Sequence, residues 1–455
     1  NNKYSVYAKL SQTLSSGYRN SSWVDLKSYH LSAVRYDDNL ITQINIFGGP
    51  IADGLAYTGL PKFAIKDKNL RKANYSYWEA DEKNYTYTLE RRPDEIENFS
   101  QPHFELLNEL KLNDKITFNS ALFLVLGNGF FDYDGSWGDT TYFRLTKENG
   151  FYPTQNPGNV LIRAMVENKQ WGWIPRASIK HNNGELIIGG EFRFHNSIHW
   201  GSINYGENLP QGLTKDFRYY YYEGEKDILN FFVNENYQLS SKINLLAEAQ
   251  LSYHNYKIKN ERYVNNNFSI DDLYFNPRFG INYRYSPDWN FYFSFARVTR
   301  EPRLKNYYDA AESSGGAVPQ FETKPDGSYD FSKPLVKPET MNNFEFGSSF
   351  SKENLSASLN LFYMLFNDEI VKRGQVDRFG QPITGNMERT IHYGLEGTFS
   401  LKHNDIIELT LNGSLSKNYI SSGAAYFYNK KTGSTVKLDL SGNRISGFPD
   451  VTINA

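Results

Sequence analysis

Four stretches of this chain alternate apolar and polar residues for ten or more positions, and that pattern fixes their backbone as extended. From Leu355 to Leu365 one face carries Leu355, Ala357, Leu359, Leu361, Tyr363 and Leu365, and the other opens with Ser356, Ser358 and Asn360. Ile407, Leu409, Leu411, Gly413 and Leu415 oppose Glu408, Thr410, Asn412, Ser414 and Ser416. The same holds for Ile243 to Tyr253 against Asn244, Glu248, Gln250, Ser252 and His254, and for Tyr393 to Leu401 against His392, Glu396, Thr398 and Ser400. Period two is the strand period, because successive side chains leave a strand on opposite faces. Globular strands usually stop after about 5–6 residues, whereas a tilted strand crossing a bilayer needs roughly 9–11. These runs have the longer length.

The connections sharpen the reading. Short polar turns stand at Asp37-Asp38-Asn39, Asn113-Asp114-Lys115, Asn182-Asn183-Gly184, Ser240-Ser241-Lys242, Ser286-Pro287-Asp288, Lys352-Glu353-Asn354 and His403-Asn404-Asp405. Long connections fall between them, at about 49–100, 128–170, 197–226, 258–273, 300–340, 370–387 and 420–449, with a shorter one at 16–23. Tight turns on one rim and long loops on the other are the pattern of an outer-membrane β-barrel. A compact soluble domain has no place for repeated structureless loops of this length. The fold class expected is therefore all-β, a transmembrane antiparallel β-barrel with about sixteen strands in this chain, the last starting near Asp450. An open sheet edge in lipid would leave backbone groups unpaired at several kcal/mol each, so further strands are expected beyond Ala455.

Composition agrees and excludes other classes. Tyr (34) and Phe (32) dominate the apolar residues and favour pleated, half-buried surfaces. No apolar run reaches the roughly 18 residues of a membrane helix, and a barrel hides its hydropathy because lipid-facing and lumen-facing residues alternate. A formal net charge of −2 gives no basic face for nucleic acid, and with no Cys there is neither a disulfide framework nor thiolate chemistry. The chain opens at Asn1 without an initiating Met or a signal peptide, so its start reads as a processed or truncated end.

Several segments carry a family resemblance. Phe293 to Arg297 followed by Arg300-Glu301-Pro302 looks like the strand and "REP" turn of TonB-dependent receptor barrels. Leu335-Val336-Lys337-Pro338-Glu339 with Asn343 to Gly347 resembles their "LKPE…NYELG" segment, and Leu361-Phe362-Tyr363 with Asn367-Asp368-Glu369-Ile370 resembles the strand that follows. Asn386 to Gly397 is similar to "N.G…GVE", and Gly442-Asn443-Arg444-Ile445 with Gly447-Phe448-Pro449 to "GNRIPGVP". Weaker likenesses lie at Ser16 to Asn20, at Phe47-Gly48-Gly49 with Ala56 to Pro61, and at Gly127 to Asp132. The ordered set, rather than any one motif, carries the resemblance over nearly the whole chain.

The resemblance implies a barrel domain over 1–455, cut at both ends from a 22-stranded barrel, with the N-terminal plug domain and its TonB-contacting box absent. It implies an outer-membrane protein of a Gram-negative bacterium, surrounded by outer-membrane lipid. Its function would be active import of a scarce, bulky ligand, a ferric siderophore by default, driven by the TonB energy-coupling complex through that plug. Haem, cobalamin and oligosaccharide importers stay open as alternatives, as does a passive porin-type channel. No enzyme, cofactor or metal site is expected. His195 and His199 straddle a strand end without a carboxylate at zinc-motif spacing. Asp368, Glu369 and Glu408 read as ordinary lumen charges, and no Ser stands out as a nucleophile with an oriented base.

For cargo contacts, aromatic faces beside guanidinium groups suit planar anionic chelates. The candidates are Tyr77 and Trp78 in the first long loop, Tyr133, Trp137 and Arg144 in the second, and Trp200, Arg218 and Tyr220 in the third. The competing reading of each is an interfacial girdle aromatic or packing of one loop on another.

Overall fold

In the computed structural model the described residues are 3–376, 382–403, 406–429 and 432–454. The turn residues Asn404 and Asp405 and the centre of the 370–387 connection (377–381) lie outside them, as does Ala455. Sixteen wall strands follow one another. They are β1 (Tyr4–Ser15), β2 (Val24–Tyr36), β3 (Leu40–Gly48 continued by Pro50–Asp53), β4 (Glu97–Ser100 continued by His103–Lys111), β5 (Ile116–Asp134), β6 (Gly158–His181), β7 (Gly184–Glu207) and β8 (Tyr220–Gln238). The second half holds β9 (Ile243–Lys259), β10 (Phe268–Arg284), β11 (Trp289–Arg300), β12 (Glu339–Lys352), β13 (Leu355–Val376), β14 (Pro382–His403), β15 (Ile407–Ser422) and β16 (Val451–Asn454).

Each strand pairs antiparallel with the next, so the wall is one uninterrupted meander. Backbone pairing runs between sequence neighbours without any crossover, which is what a bilayer demands. Strand β3 breaks at Gly49, where an added Cβ would lie 1.8 Å from the Lys27 carbonyl oxygen. Only glycine lets β2 come that close.

The strand count and the alternation of turns match the sequence expectation, but the long connections are shorter than expected. The β6–β7 hairpin runs 24 residues per strand, and the connections around it span only 135–157 and 208–219. The long first loop runs 54–96 and the fifth 301–338. The physical reason is that ladder hydrogen bonds continue above the membrane, where polar side chains on both faces are tolerated and the alternation that marks a strand fades. The two-residue signal disappears before the strand does.

The wall is inside out relative to a soluble protein. Leu273 and Phe275 on β10 are 68% and 54% exposed, whereas Ser252 on β9 and His392 on β14 are 5% and 4% exposed. On β8 the outward face carries Leu229, Phe231 and Val233, and the inward face carries Asn230 and Asn234. Asn230 donates to Glu191 at 2.8 Å and Asn234 to Glu248 at 3.1 Å. The polar atoms of neighbouring strands thus satisfy one another on the inner face, leaving the apolar face to lipid.

What apolar core there is sits at the long-loop end. One cluster joins Phe143, Leu145 and Phe151 of the 135–157 loop to Val160, Ile162, Ile203, Tyr219 and Tyr220. A second packs Tyr307, Tyr308 and Phe321 of the 301–338 loop on Ile258, Phe268 and Ile270. The loops are folded, and buried apolar area holds them.

A cation placed on the outward face has no lipid partner. Phe231→Arg is expected to cost about 2–4 kcal/mol in a reconstituted-bilayer unfolding measurement. Ser294→Arg on the inward face of β11 is expected to cost less than about 1 kcal/mol. Equal costs would contradict the division into a lipid and a lumen face, and the reverse order would show that the faces have been assigned the wrong way round.

Candidate functional site

Three of the segments that carry the family resemblance, those holding Arg300, Glu339 and Asn386, meet at the loop-side rim of β11 to β14. In the Arg300-Glu301-Pro302 turn each residue has its own partner. Arg300 forms a two-pronged ion pair with Glu339, Nε to Oε1 at 2.7 Å and Nη2 to Oε2 at 2.8 Å. Glu339 Oε2 also accepts the backbone N–H of Ile370 at 2.8 Å, which ties β12 to β13. Glu301 turns inward, and Pro302 is fully buried. The Asn386 side-chain amide behaves like a strand residue. It accepts the Lys337 N–H at 2.9 Å, and its amide nitrogen donates to the Lys337 carbonyl at 2.8 Å and to the Asp368 carbonyl at 2.7 Å. A planar amide can reproduce a peptide pairing in this way where the ladder ends.

Across the rim the loops are fastened by arginines. Arg19 donates to the carbonyls of Ala73 (2.7 Å) and Thr58 (2.8 Å), holding the 54–96 loop to the β1–β2 connection. Buried Arg91 and Glu95 lie 3.6 Å apart, and Glu95 accepts the Asp134 N–H at 3.3 Å, which anchors the far end of that loop on β5. Arg144 reaches furthest. Its Nε donates to the Tyr219 carbonyl at 3.0 Å, its Nη2 to Ser313 Oγ at 3.2 Å, and its guanidinium lies 4.2 Å from the Tyr263 ring centre. One side chain therefore touches the 208–219, 260–267 and 301–338 connections from the 135–157 loop. Its own backbone sits at φ 52°, a left-handed conformation that an arginine adopts only when its surroundings hold it there.

The eight sequence candidates separate into three settings. Tyr77 and Trp78 lie on the loop hairpin Tyr75–Ala80, with Tyr77 42% exposed and Trp78 Nε1 donating to the Gly59 carbonyl at 2.8 Å. Tyr133, Tyr220 and Arg144 belong to the loop core, where Tyr133 and Tyr220 are buried. Trp137 stands at its margin, edge-on to Tyr142 at 4.5 Å. Trp200 and Arg218 stack on each other at 4.4 Å, apart from the rest. Tyr133, Trp200 and Tyr220 were expected in loops and lie in the strands β5, β7 and β8. His195 and His199 likewise stand within β7 rather than at its end, and His199 stacks on Tyr222 at 4.8 Å.

A lumen-facing polar group escaped sequence reasoning. Glu301 is bonded to Lys226 of β8, and its other oxygen lies 3.2 Å from His254 Nδ1 of β9. Tyr256 Oη donates to it at 3.3 Å, and Tyr274 Oη donates to Asp272 at 3.0 Å beside it. Parity was the available signal: Lys226, His254, Tyr256, Asp272 and Tyr274 all occupy the inward positions of their strands. Burial opposes the Glu301 charge, but the neighbouring His254 imidazole and Lys226 ammonium outweigh it and hold the carboxyl well below its usual range. Among the described residues no group of three or more metal-ligating side chains comes together.

An antiparallel wall that is apolar outside and polar inside, with tight turns at one end and interlocked loops at the other, defines a membrane-spanning β-barrel with a loop-capped mouth. Residues 9–455 match the family described as TonB dependent receptor-like, beta-barrel, and the chain belongs to it. That family's barrels lie in the outer membrane, and its members are transporters rather than enzymes. Among solved structures, the copper transporter OprC matches with a TM-score of 0.64 at 12% identity over 92% of this chain and 57% of its own. The ferric yersiniabactin uptake receptor FyuA from Yersinia pestis gives 0.64 at 11% identity over 99% and 60%. The ferric-catecholate import receptor Fiu from E. coli K12 gives 0.62 at 12% over 100% and 64%. The chain thus spans less than two thirds of each, and the likeness is one of fold. No curated protein sequence matches it.

Two outcomes are expected of the loop fastenings. Arg144→Ala should raise amide hydrogen exchange in the 260–267 and 301–338 connections together, while β9 and β10 keep their protection; an increase confined to 135–157 would contradict the four-way contact. The Glu301 anchor is complete above the ordinary glutamate pKa of 4.5 and is lost as pH falls well below it, because the folded value is depressed. A spin label at Val318 should therefore stay immobile throughout the ordinary glutamate titration range and loosen only at pH well below it, whereas in Glu301→Gln its mobility should not change with pH.

Proposed function

We propose that the chain is the barrel wall of a TonB-coupled importer that carries a scarce, bulky metal chelate, a ferric siderophore in the first instance, across the outer membrane of a Gram-negative bacterium. The observation that carries this reading is the folded cap. The loops are stapled to one another by Arg19 and Arg144, and to the wall by the Arg91–Glu95 pair and Glu301, instead of hanging free. A passive pore gains nothing from loops fitted to one another at its mouth, while an importer must hold its ligand outside until energy is supplied. The fold neighbours include a copper transporter and receptors titled for ferric yersiniabactin and ferric catecholate import, which supports a metal or metal chelate as the cargo class.

In this reading exposed Tyr77 and half-buried Trp78 on their loop hairpin, and Trp137 at the margin of the loop core, are the first aromatic surfaces a planar chelate meets. Stacking on such faces contributes about 0.5–1.5 kcal/mol per ring pair. Tyr133, Tyr220 and Arg144 shape the floor beneath them. The plug and its box, which couple to TonB, are proposed to belong to the whole protein.

The test uses the full-length gene in an iron-starved host that lacks its own receptors. Growth on a ferric siderophore that depends on TonB is the expected result, with Tyr77→Ala/Trp78→Ala raising the half-saturating chelate concentration about 5- to 150-fold, two stacking contacts' worth. Uptake of small solutes that continues without TonB would instead identify a passive channel.

A further inference from the structure

Trp200 and Arg218, offered above as cargo contacts, face the wrong way for that role. β7 and β8 stay in unbroken register from Gly184↔Tyr237 to Gly201↔Tyr220, so parity along both is preserved. Trp200 shares its face with lipid-side Ile188, and Tyr221, its register partner, shares its face with lipid-side Phe231 and Val233. Both rings therefore point out of the barrel. The Arg218 guanidinium lies 4.4 Å from the Trp200 ring and 5.4 Å from that of Tyr221. The backbone N–H of Arg262, on the β9–β10 connection, donates to the Tyr221 carbonyl at 3.1 Å. Arg218, Tyr221 and Arg262 line a cleft of about 460 Å³ with Asn260, Asn265 and Asn267.

The cleft is cationic and its cations are unused. Among the described residues neither guanidinium makes a hydrogen bond or an ion pair; each only overlies a ring. Glu261 lines the same cleft but is buried, and its carboxylate accepts the backbone N–H groups of Tyr263 (3.3 Å), Val264 (2.8 Å) and Asn266 (3.3 Å). Lower on the same outer face, Glu225 and Asp227 are matched by Lys257 and Lys259 at 2.7–3.4 Å. Glu225 and Asp227 are thereby neutralised, and Glu223 between them and the cleft accepts the Tyr221 hydroxyl at 2.8 Å, while among the described residues the two arginines above have no ionic partner.

Their height selects the occupant. Leu229 is the last outward apolar residue of β8, and Tyr221 stands eight residues further up. At about 3.3 Å per residue and a tilt near 40°, that is roughly 20 Å above the hydrocarbon edge. A lipid phosphate at the membrane surface lies too low, whereas the saccharide of a large glycolipid extends to this level. Resting on the outer-membrane placement of the barrel, we infer that this cleft binds a phosphate-bearing saccharide of an outer-leaflet glycolipid. Two guanidinium forks match phosphate oxygens. Trp200 and Tyr221 offer flat apolar faces to the sugar ring, and the asparagine amides can both donate to and accept from its hydroxyls.

The test is native mass spectrometry of the full-length protein, extracted in mild detergent from an outer membrane carrying phosphorylated glycolipid. Arg218→Gln/Arg262→Gln is compared with Lys115→Gln/Lys242→Gln at the short-turn end. The inference expects the first pair to lose retained glycolipid by about tenfold or more, the second to keep it, and a host making the dephosphorylated glycolipid to show weak retention throughout. Asn265→Asp, which adds an anion while removing no packed side chain, should reproduce the loss if the arginine variant folds poorly. Unchanged retention in both variants would overturn the inference, and displacement of the glycolipid by inorganic phosphate at equal concentration would reassign the cleft to free anions. TonB-dependent uptake, measured separately, should survive in both variants. Loss of uptake with glycolipid still bound would give the arginines to the cargo, whereas an unmutated protein that fails to import at all would count against the proposed function alone.

Discussion

Every wall strand except the first and last described is hydrogen-bonded on both edges to its sequence neighbours, and the rest of the molecule depends on that pairing. In lipid the backbone has no water to fall back on, so the strand ladder must be continuous before any side chain matters. Once it is, side chains divide strictly by parity. The outward set needs only to be apolar, and the inward set can be polar as long as neighbours satisfy one another, as Asn230 and Glu191 do. Chemistry is thereby confined to the inner face and to the loop end. The inner face of β8 to β10 supplies Lys226, His254 and Asp272, and the loop end supplies nearly all the apolar burial.

The loop end answers a different demand. Long connections in water lose much conformational entropy on ordering, and here they recover it through aromatic burial and a few arginines that each join distant segments. Among the described residues the short turns carry no such apparatus. Ser240 and Ser286 close theirs with local side-chain bonds to the backbone two and three residues on. The asymmetry between the two ends follows from physical need: one end only has to reverse the chain, while the other has to present a surface.

The strands and short turns were legible because their signals are local. Alternation such as Leu355 to Leu365 and turns such as Asn182-Asn183-Gly184 need no knowledge of the rest of the fold. The loops were not legible, because their partners are far away in sequence. Nothing near Arg144 announces Tyr219, Tyr263 or Ser313, and nothing near Glu301 announces Lys226. The strand ends were missed for a related reason: Trp200 and Tyr220 stand where both faces of the wall are polar or aromatic, so period two is no longer visible although the ladder continues. Parity extrapolated along β7 from Ile188 would have turned Trp200 outward. Three of the resembling motifs come together at the rim, and there Arg300, Glu339 and Asn386 close the ladder where peptide pairing stops.

The four-way contact of Arg144 has a consequence for how such a mouth can change over generations or at the bench. Because one guanidinium is shared, none of the four connections is an independent module. A graft of the 301–338 loop alone onto another barrel would arrive without the arginine that receives its Ser313, and the barrel left behind would keep an arginine held at positive φ with one of its reasons removed. Variation in this region is expected to move as a block, with the loops inherited or transplanted together or not at all.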